Sequence, residues 1–88
     1  MTLPVSPHHP IHAGAEETIT GSLAVNTGLR DLQSFSVSLG EAASANSAFV
    51  YAIKSIVGGE AVLTIYVQAA TYAASSTATK VRWTALGK

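Results

Sequence analysis

The sequence predicts an all-β fold, a small antiparallel β-sandwich of five to six strands with an extended Pro/His-rich N-terminal arm. Large apolar residues alternate with small or polar ones through most of the 88 residues, and this period of two is typical of strands. No stretch of comparable length has the 3.6-residue spacing of an amphipathic helix. All three prolines precede residue 14, so the rest of the chain can form uninterrupted strand ladders.

The arm is expected to comprise residues 1–14 and the β-sandwich domain residues 15–88. Prolines lack a backbone donor and favour extended backbone before them, so we expect no sheet ladder in the arm. It contains every proline and histidine of the chain: Pro4, Pro7, Pro10, His8, His9 and His12. Imidazoles at such spacing can bind zinc or nickel, but no carboxylate or cysteine lies near them. We therefore predict no metal site, unless a trimer brings three arms together.

Five strands are predicted after the arm, at 17–26, 33–40, 47–57, 60–69 and 78–86. Each has its larger residues at odd positions, as in Leu63, Ile65 and Val67, so the odd positions are expected to face the core. The stretch 69–79 consists of Ala, Ser and Thr around Tyr72, and it is either a surface loop or a short sixth edge strand.

Gly58-Gly59 lies between two apolar runs and predicts a β-hairpin. Directly opposed residues share a face of a sheet. A two-residue loop would pair Ile53 with Thr64 and place the odd positions of the two strands on opposite faces. We therefore expect a three-residue loop, Val57-Gly58-Gly59 or Gly58-Gly59-Glu60, or a nearby bulge.

The outer face of this hairpin is predicted to be an interface. The chain has only five basic and five acidic residues, about half the charge of an ordinary domain, and the even positions of the hairpin are mostly apolar. An uncharged apolar face is typical of a buried interface, although a second sheet or the arm would also cover it within one subunit. The predicted interface residues come from the arm and this face: Pro4, Pro7, His8, His9, Pro10, His12, Val50, Ala52, Val62 and Tyr66.

Several functional classes are excluded by composition. The net charge is zero and there is no basic cluster, which argues against nucleic-acid binding. The sequence also has no run of about 20 apolar residues, the length needed to cross a membrane. The start of the chain lacks the pattern of a signal peptide, so synthesis in the cytoplasm is expected. There is no Gly-x-Ser-x-Gly elbow, and Glu16 and Glu17 should point to opposite faces of a strand. We predict no enzymatic activity and no cofactor.

Oligomerisation is expected because the chain is small and has no cysteine. Domains of this size bury a modest core and are commonly reinforced by disulfides, metals or self-association. Without disulfides, a homo-oligomer is the simplest reinforcement. A trimer is favoured and a dimer is the alternative.

The C-terminal strand carries a resemblance to known families. The sequence Thr79-Lys80-Val81-Arg82-Trp83-Thr84-Ala85-Leu86-Gly87, after a Val-Ser-Leu and an Ala-Phe-Val strand, resembles small tailed-bacteriophage virion proteins of the capsid decoration or cement type. The resemblance covers residues 20–88. It implies a structural protein of the virion, made in the host cytoplasm, that bridges capsomers by contacting the major capsid protein.

The Val-x-Trp-x-Ala-x-Gly ending also resembles the H-type lectin fold, a six-stranded β-sandwich that forms trimers. This resemblance implies an alternative function, a carbohydrate-binding module of a tail fibre or host-recognition device. The lectin sugar site itself has no matching residues here. Tyr66 and Tyr72 are the candidate sugar-stacking rings, whereas Tyr51 and Trp83 have the parity expected of core residues.

Overall fold

The structure is a computed structural model that describes residues 11–88. It confirms the all-β prediction, since it contains six strands and no helix in the described range: β1 (Ile11–Ile19), β2 (Ser22–Asn26), β3 (Leu32–Leu39), β4 (Phe49–Val57), β5 (Glu60–Gln68) and β6 (Thr79–Gly87). The strands form two three-stranded antiparallel sheets, in the orders β1-β6-β3 and β2-β5-β4. Accordingly, residues 11–88 contain no helix able to cross a membrane.

The first strand begins earlier than predicted. Ile11 pairs with Gly87 and His12 with Leu86, so the prediction of a ladder-free arm up to residue 14 is wrong. Pro10 is the last residue without a backbone donor, and from Ile11 onward every residue can contribute to the ladder. The remaining arm residues of the predicted interface, Pro4, Pro7, His8, His9 and Pro10, lie outside the described residues.

The predicted strand 17–26 is divided between the two sheets. Gly21 has a φ of 78°, a left-handed conformation that glycine adopts without steric cost, and the chain turns there from β1 into β2. Ile19 consequently lies in one sheet and Val25 in the other, and both are buried.

The other four strands lie within two residues of the predicted ranges. Residues 69–78 form a loop, whose only ladder contact is an isolated bridge between Ala74 and Gln68 at the end of β5, and Thr79 begins β6. Of the two alternatives for this stretch, the surface loop is therefore the one observed.

One hydrophobic core is shared by the two sheets. Its main contributors are β5 and β6, the central strand of each sheet, whose odd positions are buried as predicted: Ala61, Leu63, Ile65, Val67, Val81, Trp83 and Ala85. Each fully buried Leu, Ile or Val side chain stabilises the fold by about 1.5–3 kcal/mol. The predicted orientation is wrong for β4, at a sheet edge. Leu23 of β2 and Phe35 of β3 share the inward side with their partners Ile65 and Ala85 but remain 38% exposed.

Candidate functional site

The β4–β5 hairpin has a two-residue turn. Gly58 and Gly59 both have positive φ angles, 60° and 80°, and Val57 pairs with Glu60 across them. Positive φ at both central residues is the requirement of a type I′ turn, whose twist matches that of the two strands. The predicted three-residue loop or nearby bulge is therefore wrong, because two glycines close the hairpin and the ladder between β4 and β5 has no register shift.

This register reverses the two faces of β4. Ile53 pairs with Thr64 and Tyr51 with Tyr66, so the odd residues of β4 share the outer face with the even residues of β5. Phe49, Tyr51 and Ile53 are 43%, 41% and 55% exposed. Their predicted core positions are therefore wrong.

The same register corrects two of the predicted interface residues. Val50 and Ala52 face inward and pack against the core, so their predicted place on the outer face is wrong. Val62 and Tyr66 lie on the outer face, since Val62 pairs with Ser55 and Tyr66 with Tyr51. The outer surface of this sheet is thus apolar, as the low charge indicated, but β4 contributes larger side chains to it than predicted.

We call this outer surface the aromatic face. It consists of residues from β4, β5 and the loop that follows β5: Phe49, Tyr51, Ile53, Val57, Val62, Tyr66 and Tyr72. Two parallel ring stacks occur on it. The centroids of Tyr51 and Tyr66 are 4.9 Å apart with planes inclined by 17°, and those of Phe49 and Tyr72 are 5.3 Å apart with planes inclined by 5°.

Small and polar residues border the aromatic face, and they carry little charge. The register places Ser22, Ala24 and Asn26 of β2 on this side of the sheet. Glu60, at the turn end of β5, is the only charged residue at the face-forming positions of the three strands, and its carboxylate accepts a hydrogen bond from Asn26 at 2.5 Å. An approaching apolar surface would therefore have to desolvate very little charge.

Tyr72 is held over the face by its loop. Its φ is 68°, a left-handed conformation that costs a non-glycine residue about 1–2 kcal/mol. Its N–H donates to the Ala69 carbonyl at 2.9 Å, and the N–H of Ala70 donates to the Ala45 carbonyl at 2.8 Å. The loop is thus tied to the preceding one, and the ring, although stacked on Phe49, remains 72% exposed.

The four aromatic candidates differ in their agreement with the sequence-based expectations. Tyr72 is exposed as expected, and Tyr66 is half-buried under its stack with Tyr51. Tyr51 belongs to the face and not to the core. Trp83 is in the core, 4% exposed, and its indole N–H has no hydrogen-bond partner among the described residues.

His12 lies apart from the aromatic face, on the outer surface of the β1-β6-β3 sheet. That surface is polar, and the hydroxyls of Ser36 and Thr84 are hydrogen-bonded there at 2.8 Å. His12, Ser34, Ser36 and Thr84 help to line an open depression of about 430 Å³. The structure therefore does not bring the predicted interface residue His12 together with Val62 and Tyr66.

Lys54 is the only charged residue of β4, and it is paired. Its ammonium group donates to the Asp31 carboxylate at 3.1 Å, and the same carboxylate oxygen accepts the N–H of Leu32 at 2.8 Å. The Leu32 hydrogen bond, followed by the contact with Lys54, lowers the pKa of Asp31. The edge strand therefore carries no uncompensated charge.

The described residues form no candidate metal site. Within 11–88, no group of three or more His, Cys, Asp or Glu side chains lies close enough to hold a metal ion. His8 and His9 are outside this range, so the hypothesis of a histidine site shared by three arms stays untested. What the observed arrangement can do is pack against an apolar partner.

Comparisons with protein-family models, with curated proteins and with solved structures found no match to this chain. The resemblances to phage virion proteins and to the H-type lectin fold therefore stay predictions.

Proposed function

We propose that this protein is a non-enzymatic structural protein whose two sheets stack as a β-sandwich and whose aromatic face docks onto a larger protein assembly. The aromatic face is the observation that carries the proposal. It concentrates four aromatic rings and three aliphatic side chains on one sheet with a single charge at its end. Aromatic residues are enriched and charged residues depleted at the centres of protein interfaces.

The size of the face supports a protein partner. From their exposed fractions, Phe49, Tyr51, Ile53, Val57 and Tyr72 together leave on the order of 500 Å² accessible, given about 150–250 Å² for a whole aromatic side chain. The largest apolar patch of a typical monomer is about 300–600 Å² and is often functional. A standard interface buries about 800 Å² per partner, so the aromatic face with its polar border is large enough to form the centre of one.

The resemblance of the C-terminal strand directs the proposal to one assembly, the capsid of a tailed phage. The partner is then the major capsid protein, and the role is to decorate or cement the capsid by bridging capsomers as an oligomer. A repeating lattice suits a small domain, because many weak contacts made by linked copies sum to tight attachment.

The test is cosedimentation of the purified protein with phage capsids that lack it. Replacement of Tyr51 and Ile53 by Ser removes apolar area from exposed positions, so the variant should fold but lose at least tenfold in capsid occupancy. A matched control replaces Ser34 and Ser36 by Ala on the other sheet, where occupancy should not change. Equal occupancy for both variants would refute docking through the aromatic face.

The Pro/His-rich arm is further proposed to reach across neighbouring capsomers as a clamp, and this role needs a separate variant. Residues 11–14 form part of β1, so a deletion that tests the arm as a clamp should stop at residue 10. Loss of capsid binding by the folded 11–88 chain would support a clamp, whereas unchanged occupancy would rule it out.

Carbohydrate binding remains the second candidate, and Tyr72 is the observation that favours it. The backbone of Tyr72 is left-handed and is held by loop hydrogen bonds. Its ring is 72% exposed, so its free face can be presented to a sugar. Strained residues of this kind are concentrated at functional sites. Glycan-array binding that is lost in Tyr72→Ala and retained in Tyr72→Phe would support this function, and a blank array would exclude the glycans tested.

A further inference from the structure

The four sheet edges differ in how well they are protected against pairing with another chain. β2 has only five residues, the ladder of β3 has a register shift between Leu32 and Ser34, and β1 carries Glu16 and Glu17. Short length, bulges and charges are the usual devices that block edge-to-edge pairing. β4 has nine residues, an uninterrupted ladder to β5, and one charge that is already paired with Asp31.

The outer edge of β4 has no hydrogen-bonded strand in the described part of the chain, although β3 of the other sheet lies near β4. β4 is the last strand in the order β2-β5-β4, and no segment within residues 11–88 pairs with its other side. Lys54 and Ser55 are its only exposed polar residues. At its end Ile56 is 51% and Val57 62% exposed. A long apolar edge of this kind is a template for a further strand.

The two-residue turn determines which backbone groups of β4 point outward. The residues flanking such a turn, Val57 and Glu60, form a hydrogen-bonded pair, and hydrogen-bonded and non-hydrogen-bonded pairs alternate from there. The odd residues of β4 therefore bond to β5. The N–H and C=O groups of the even residues point to the open edge: Val50, Ala52, Lys54 and Ile56.

We propose that β4 pairs with β4 of a second copy of this chain, antiparallel about a two-fold axis at Ile53, so that the two β2-β5-β4 sheets become one six-stranded sheet. Only the register that places Ile53 opposite the second copy's Ile53 pairs all nine residues of the strand. In that register Ala52 bonds to the second copy's Lys54 and Val50 to its Ile56, and these are the residues whose backbone groups are free. The strand is thus complementary to itself in both length and hydrogen bonding.

Charge favours the same register. An axis at Lys54 would oppose two lysines directly, which is destabilising. With the axis at Ile53, each Lys54 lies opposite an Ala52 and keeps its own Asp31 at 3.1 Å. On the outer side, Phe49 lies opposite the second copy's Val57, so that apolar residues cover each other.

The size of the paired surface and the arrangement of the two aromatic faces both suit a dimer that docks onto a larger assembly. Nine paired residues and their side chains cover on the order of 500 Å² per copy, toward the lower end of specific interfaces, where weak and transient associations occur. The two aromatic faces then lie side by side on one continuous sheet. A partner lattice would meet them as a bivalent surface, but the pairing itself does not depend on the proposed function.

Disulfide trapping tests the register, because the chain has no cysteine of its own. Ile53 is expected to form a non-hydrogen-bonded pair with its copy, in which the Cα atoms lie about 4.5 Å apart, within the range that a disulfide spans. Ile53→Cys should therefore oxidise to a covalent dimer within minutes under mild oxidation. Thr64→Cys is the matched control, since Thr64 is the partner of Ile53 on β5, one strand away from the axis, and it should stay monomeric.

Sedimentation equilibrium of the full chain gives the second readout. The unmodified protein should have twice the monomer mass of 9.0 kDa, whereas Ile53→Lys and Ile53→Glu should each have the monomer mass while an equimolar mixture of the two regains the dimer. Circular dichroism of both variants verifies the fold, which the exposed position of Ile53 should preserve. A monomer or a trimer at about 100 µM, or equal cross-linking at positions 53 and 64, would overturn the proposal.

Discussion

The turn at Gly58-Gly59 decides which residues form the aromatic face, so it is the feature most worth perturbing. Both glycines have positive φ angles, 60° and 80°, and a Cβ atom added at either would have no neighbour within 4 Å. Substitutions at Gly58 therefore report the backbone conformation alone, without interference from packing.

The expected magnitudes follow from two opposing effects. In Gly58→Ala the left-handed conformation costs about 1–2 kcal/mol, and the reduced freedom of the unfolded chain returns about 0.4–1 kcal/mol. The free energy of unfolding should thus fall by about 0.5–1 kcal/mol. Asn tolerates this conformation and is preferred in type I′ turns, so Gly58→Asn should match or exceed the wild type.

Urea unfolding followed by tryptophan fluorescence measures this order. Trp83 is the only tryptophan and is buried in the core, so its emission reports global unfolding. For a domain of this size, 1 kcal/mol corresponds to a shift of about 4–8 °C in Tm. All variants should be compared at one protein concentration, because self-association would add to the apparent stability.

The reasoning would be refuted if Gly58→Ala were as stable as Gly58→Asn. Equal stabilities would mean that residue 58 has a negative φ, as it could in a three-residue loop. The register of β4 would then shift by one residue, Tyr51 and Ile53 would face the core, and the aromatic face would not exist as described.

Three further outcomes follow from the structure. Ile65 is fully buried, so Ile65→Ala should lower the free energy of unfolding by about 2–5 kcal/mol; calorimetry showing an unchanged Tm would contradict its core position. A Cβ at Gly87 would overlap the backbone carbonyl of Asp31, so Gly87→Ala should cost about 3 kcal/mol, at the upper end of overpacking, and wild-type thermal stability would argue against this close approach. The lowered pKa of Asp31 means that its contacts stabilise the fold above the unfolded value of 3.8 and are lost as pH falls through the lower folded value. The urea midpoint should therefore decline less below pH 4 in Asp31→Asn than in the wild type. Equal declines in the two proteins would contradict the contribution of this carboxylate.

The sequence located much of the candidate site, but it did not predict correctly which residues of β4 contribute to it. The hairpin was identified by Gly58-Gly59, and Val62 and Tyr66 lie on its outer face as predicted. Val50 and Ala52 do not, because the phase of β4 relative to β5 depends on one residue of loop length. The signal that could have revealed this was the pair of glycines itself, which fits the two positive φ angles of a type I′ turn.

Alternation and turn residues were enough to predict a β protein, the positions of most strands, and the core residues of β5 and β6. Alternating apolar residues define a strand and, where one side is polar or small, also its buried face. The inward face of β4 became known only from its pairing with β5, because both sides of this strand are apolar and alternation cannot choose between them. The tertiary structure also decided the division of 17–26 at Gly21 and the addition of 11–14 to β1, since strand pairing depends on partners distant in the chain.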